Sequence, residues 1–128
     1  MSPKRAEESD DKYVIAREIL SRLGDRWSVL IIYMINGEPV RFTELKRKIE
    51  GARPISSRVL TRTLKQLERD GLVLRKAYPV VPPRVEYSLT QLGQRFLNFA
   101  MEILDWTIEY RADFEAARVE FESQATRQ

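Results

Sequence analysis

A chain of 128 residues, 43% hydrophobic and 32% charged, has room for one modest core and no more. It contains no cysteine and no histidine, which rules out disulfides, thiolate nucleophiles and zinc–thiolate sites and removes the commonest general base and transition-metal ligand. The net charge of +3 hides an uneven distribution: residues 1–40 carry 6 Lys/Arg against 7 Asp/Glu, residues 41–76 carry 11 against 4, and residues 77–128 carry 5 against 8, so a basic middle suited to a polyanion lies between weakly acidic ends.

Residues 1–10 are polar and mixed in charge; they are expected to be a disordered tail and show no signal peptide. No run approaches the roughly 18 apolar residues of a membrane span, so a cytoplasmic location and no membrane partner are expected. Asp11–Leu23 reads as a helix, with Ile15, Ile19 and Leu23 four apart on one face, Asp10 or Asp11 as cap and Gly24 as stop. Arg26–Ile35 is apolar nearly all round, which predicts a buried central element. Periodicity alone suits strand or helix there; the length and the Asn36-Gly37 stop favour helix.

Val40-Arg41-Phe42 is short and extended, and Thr43 is expected to cap a brief helix, Glu44–Ile49. A loop with Gly51 and Pro54 follows. Ser56 or Ser57 then caps a helix to about Asp70, stopped by Gly71. Leu72–Tyr78 and Arg84–Leu89 read as strands flanking Pro79-Val80-Val81-Pro82-Pro83, which its prolines bar from a central strand. Thr90 opens a last helix expected to reach about Phe121, with residues 123–128 as a tail. The expected fold is mainly α with a small β-hairpin (α+β): one domain over 11–122, a winged helix-turn-helix with long N- and C-terminal helices.

The helix at 56–70 carries the functional signal. At roughly 100° per residue, Arg58, Arg62, Lys65 and Arg69 fall within about 60° of one another, and Leu60, Leu64 and Leu67 fall opposite. The leucines can dock on the core and leave the cations outward, with Ser56, Ser57 and Thr61 bordering them. Such a face suits the major groove, where arginine bonds guanine bidentately and hydroxyls reach bases or phosphates. An ordinary amphipathic surface helix would interleave its cations with carboxylates at i,i+4; here only Glu68 and Asp70 intrude. Lys76, Tyr78 and Arg84 flank the proline-stiffened hairpin tip, where Arg84 suits phosphate or a minor groove; a plain edge hairpin with prolines blocking strand addition accounts for the segment equally well. Arg41, Thr43, Lys46, Arg47 and Lys48 form a third group, with Thr43 able to cap its helix and offer a hydroxyl to phosphate.

Beyond Leu92, apolar residues at 92, 96, 99, 103, 106, 110, 114, 117 and 121 approach a heptad seam. A second row runs through Leu97, Ala100, Leu104 and Ile108. Two rows on one helix suggest two partners, its own domain and another subunit, so a homodimer is expected through Phe99, Ile103, Trp106 and Tyr110.

Taken together, GDRWSVLII, RFTELKRKI, ISSRVLTRTLKQLERDGLV and YPVVPPRVEYSLTQLG closely resemble the HxlR family of bacterial winged helix-turn-helix transcription regulators. The resemblance covers about Ile15–Phe96. It implies a dimer joined by the first and last helices, which brings Ile15 and Ile19 into the expected interface, with the Ser56–Asp70 helix reading DNA. Two features depart from the family. Many relatives carry a cysteine near the position of Tyr13-Val14, some as an oxidant sensor, and this chain has none. The Gly51–Ile55 loop is also longer than usual.

The expected function is a sequence-specific DNA-binding regulator that binds a two-fold operator on double-stranded DNA as a homodimer. The alternative is a winged-helix protein-interaction module whose basic face meets an acidic protein. No catalytic residue, metal ligand or cofactor is expected. A small-molecule effector of unknown identity is a further possible partner, held near Trp27, Trp106 or Tyr110; core or dimer packing accounts for the same rings.

Overall fold

The computed structural model describes residues 10–127. The expected N-terminal tail lies outside them, except Asp10, which opens the first helix. The elements in chain order are α1 (Asp10–Gly24), α2 (Ser28–Ile35), β1 (Val40–Arg41), α3 (Phe42–Glu50), α4 (Ser57–Arg69), β2 (Val73–Tyr78), β3 (Arg84–Leu89), α5 (Gln91–Glu109) and α6 (Arg111–Arg127). The chain divides into two compact units, Met1–Leu97 and Asn98–Gln128.

In the first unit, α2 is the centre of the core. Ile31, Ile32 and Ile35 are fully buried, with Leu45 and Ile49 of α3, Leu60, Leu64 and Leu67 of α4, and Leu72 and Val73 beside them. The helix begins two residues later than its apolar run suggested. Asp25 sets that start: its Oδ1 accepts from the backbone N–H of Trp27 at 2.9 Å and of Ser28 at 2.7 Å, and its Oδ2 accepts from the Ser28 hydroxyl. The buried Ser28 is thereby satisfied. The helix is not buried on every side, because Tyr33 is exposed.

The sheet has the order β1-β3-β2, all antiparallel. β1 is only two residues long, and α3 begins directly after it. This corrects the expected cap. Arg41, extended at φ −76° and ψ 152°, occupies the cap position without a side-chain hydrogen bond, and Thr43 lies inside the first turn. Pairing of Arg41 with Glu86 holds the chain extended up to that residue, so the helix starts one position later, before Thr43 is reached.

The end of α4 and the start of α5 are tied together. Gly71, at φ +77°, adopts the left-handed conformation that glycine reaches without steric cost. Its N–H donates to the Glu68 carbonyl and that of Leu72 to the Leu67 carbonyl, each at 3.0 Å, closing a Schellman motif. The Thr90 hydroxyl donates to the Gly71 carbonyl at 2.5 Å and accepts from the Gly93 N–H at 2.9 Å, capping α5. Gly93 sits so close that a Cβ there would meet the Leu72 carbonyl oxygen at 2.0 Å.

The second unit is helical. The single helix expected to end near Phe121 is two, joined at Tyr110, and the second continues to Arg127 through most of the expected tail. No glycine or proline stands near the joint, so the sequence carries no breaker there. Trp106 packs on Phe114 edge-to-face at 5.4 Å and on Tyr110 at 6.0 Å, across the joint.

Candidate nucleic-acid interface

Ser56 caps α4, its Oγ accepting from the Val59 N–H at 3.1 Å. This fixes the helix start and hence the phase of every side chain after it. Leu60, Leu64 and Leu67 are buried to within 1% exposure, so the opposite face must point outward. Arg58, Arg62, Lys65 and Arg69 are exposed on it, and Ser57, Arg58, Thr61, Arg62 and Lys65 line one open surface depression. Thr63 is buried and spends its hydroxyl on the Val59 carbonyl at 2.8 Å, within the helix. Among the described residues, no carboxylate pairs with Arg58, Arg62 or Lys65. Three unneutralised cations on a rigid helix are strongly attractive to an anion.

The loop before α4 is anchored despite its length. Ile55 is buried, and Arg53 donates from Nη1 to the Arg26 carbonyl at 3.2 Å. The Arg53 guanidinium also lies 5.6 Å from the centre of the Trp27 ring, and that of Arg26 lies 5.3 Å from it. Trp27 and Trp106, named as candidate effector contacts, thus each have neighbours inside their own unit.

The hairpin brings together residues that are distant in sequence. Lys76 faces Glu86 and Tyr78 faces Arg84 across β2 and β3, while Arg41 of β1 faces Glu86 from the other side. The Arg84 guanidinium stacks 4.1 Å from the Tyr78 ring centre, and Lys76 Nζ lies 5.0 Å from it. Arg84 Nε approaches Glu86 Oε1 at 3.5 Å, an ion pair without hydrogen-bond geometry. The Tyr78 hydroxyl donates to Glu86 Oε2 at 3.3 Å. Beyond this cluster the wing tip presents Val81, 99% exposed.

Thr43 is exposed at the start of α3, and Lys46 is occupied by Glu50 at 2.8 Å, leaving Arg47 and Lys48 as the free cations of that helix among the described residues. The expected dimer residues Ile15, Phe99, Ile103, Trp106 and Tyr110 are exposed, and Ile19 is half-buried. Sequence reasoning missed Glu86, whose central place depends on strand register. It also missed Arg22, which is buried on α1 and donates from Nε to Asp70 Oδ2 at 2.8 Å, at the end of α4.

A helical core carrying α3, a turn and α4, followed by a β-hairpin, defines a winged helix-turn-helix protein. The family model described as HxlR-like helix-turn-helix matches residues 22–115. The chain belongs to that family, as the sequence motifs implied. An uncharacterized HTH-type transcriptional regulator, YtfH, from Escherichia coli is 44% identical over 91 residues, 71% of this chain and 70% of that protein. YkvN of Bacillus subtilis, also an uncharacterized HTH-type transcriptional regulator, is 38% identical over 110 residues, 86% and 87% of the two chains. The reduced form of the transcriptional regulator YodB from B. subtilis superposes with a TM-score of 0.66 at 31% identity, covering 86% of this chain and 94% of that one.

The protein is accordingly a transcriptional regulator of helix-turn-helix type, and its family and relatives are regulators rather than enzymes. Among the described residues no helix is long and apolar enough to cross a membrane.

Proposed function

We propose that the protein binds a two-fold operator in double-stranded DNA as a homodimer in the cytoplasm, with α4 reading the major groove and the wing on the backbone. The carrying observation is the outward face of α4: four exposed cations opposite three buried leucines, with no carboxylate on Arg58, Arg62 or Lys65 among the described residues. Ser57 and Thr61 add hydroxyls within that stripe. This is the donor set that guanine edges and phosphates accept from. The second half of the proposal, the dimer, is supported by large apolar side chains left in water, including Trp106 at 53% and Phe99 at 50% exposure.

The test begins with a random-sequence duplex pool and the full chain. Binding to the selected duplex, followed by fluorescence anisotropy, is expected to weaken steeply with salt, by a slope of roughly −0.9 per phosphate contacted. A protein that selects no sequence, and binds DNA only as weakly as any basic surface does, would remove the operator from the account. An acidic protein partner would then be the better fit for the basic face.

A further inference from the structure

We propose that Glu86 is the resident anion of the basic wing and a specificity-determining residue, which Arg84 must leave when the wing takes up a DNA phosphate. The proposal deepens the DNA-binding reading above and rests on it. Three of the cations assigned to DNA from the sequence, Arg41, Lys76 and Arg84, stand on the sheet face of this one carboxylate, and Arg84 makes the ion pair with it. Strand register places Glu86 directly between Arg41 and Lys76, on the sheet face it shares with Tyr78 and Arg84. Its two oxygens are divided, Oε2 accepting from the Tyr78 hydroxyl at 3.3 Å and Oε1 lying 3.5 Å from Arg84 Nε. The α4 face differs: no carboxylate pairs with Arg58, Arg62 or Lys65 among the described residues.

A carboxylate in this position acts in two opposed ways. It keeps the Arg84 guanidinium over Tyr78, 4.1 Å from the ring centre, so less side-chain freedom is lost when the wing docks. It also cancels one cation and repels an incoming phosphate. The Arg84–Glu86 pair is long and partly exposed, with side chains at 35% and 21%, so a well-placed phosphate can displace the carboxylate. On the right sequence α4 fixes the duplex and brings a phosphate to Arg84. On other sequences nothing fixes it, and the wing keeps its own anion. Glu86 thus weakens sequence-independent binding more than operator binding, which raises the difference between the two.

The experiment compares the full-length protein with Glu86→Gln on two duplexes, one selected from a random pool and one with its sequence scrambled, across a salt series. Glu86→Gln is expected to tighten the scrambled duplex about three- to tenfold near 0.1 M salt and to steepen its salt slope by about 1, as one further cation becomes available. The selected duplex should change by less than about twofold, so the ratio of affinities falls. Glu86→Ala must shift the salt slope in the same direction, which keeps the test valid if either variant folds poorly. An unchanged slope, or an equal change on both duplexes, overturns the proposal. Arg84→Ala separates the two levels. If it weakens binding while Glu86→Gln leaves the slope alone, the wing is a DNA contact and only the role of Glu86 fails. If it binds both duplexes as the parent does, the wing is not in the interface and Glu86 falls with it.

Discussion

Arg58 and Arg62 stand one turn apart on the exposed face of α4, over a row of buried leucines. Each is placed by the Ser56 cap and the leucine packing rather than by a charge partner, so its guanidinium is free to form a bidentate pair. Arg58→Ala or Arg62→Ala is expected to weaken operator binding by about 1–3 kcal/mol if that residue contacts a guanine, read by anisotropy on the selected duplex. Unchanged affinity in both, with helical content intact, would remove α4 as the reading element. Arg84 is different in kind, being stacked on Tyr78 and half-buried. Arg84→Ala should lower affinity but leave the selected consensus closer to the parental one than Arg62→Ala does. Repeating the pool selection with both variants decides it, and a consensus altered by Arg84→Ala alone would reverse the roles. At this scale the cationic stripe of α4 was legible because helical phase is a local property. The cluster at Glu86 was not, because Arg41 and Lys76 become its neighbours only through strand pairing.

Elements were legible in proportion to how local their signals are. Ser56, Gly71 and Thr90 each punctuate the chain as their types predict, and each is found making the expected contact or conformation. Thr43 misled because the extended pairing of Arg41 set the helix start instead. The joint at Tyr110 had no breaker to announce it. The contact between α1 and α4 is also non-local, and it carries the clearest energetic consequence. Asp70 sits at the C-terminal end of α4, where the helix dipole disfavours a negative charge, and buried Arg22 compensates it at 2.8 Å. Removing one partner leaves an unpaired buried charge. Arg22→Ala or Asp70→Ala is therefore expected to cost about 3–5 kcal/mol in urea unfolding. The paired replacement Arg22→Met with Asp70→Leu should lie much closer to the parent. Equal losses in single and paired variants would show that the site is held by packing alone.

For the whole molecule, the proposed dimer follows from what the single chain leaves uncovered. Phe99, Ile103, Trp106 and Tyr110 are exposed, as is Ile15 of α1 at 63%. Removing such a surface from water is favourable by roughly 25 cal/mol per Å². Two copies would also combine two modest half-site affinities into one useful one. Ile103→Glu with Trp106→Glu is expected to give a helical monomer that binds the operator poorly, seen by analytical ultracentrifugation alongside anisotropy. A variant that stays dimeric would move the interface elsewhere. The heptad-like spacing made the apolar seam legible in the sequence, but the partner that covers it is not a property of one chain. The most direct test of the central claim is the symmetry of the sequences that the unmodified protein selects from a random duplex pool. The account predicts an inverted repeat whose half-sites lie about 10–10.5 base pairs apart, centre to centre, or a multiple of that spacing. A single asymmetric motif, or no enriched motif, would contradict it.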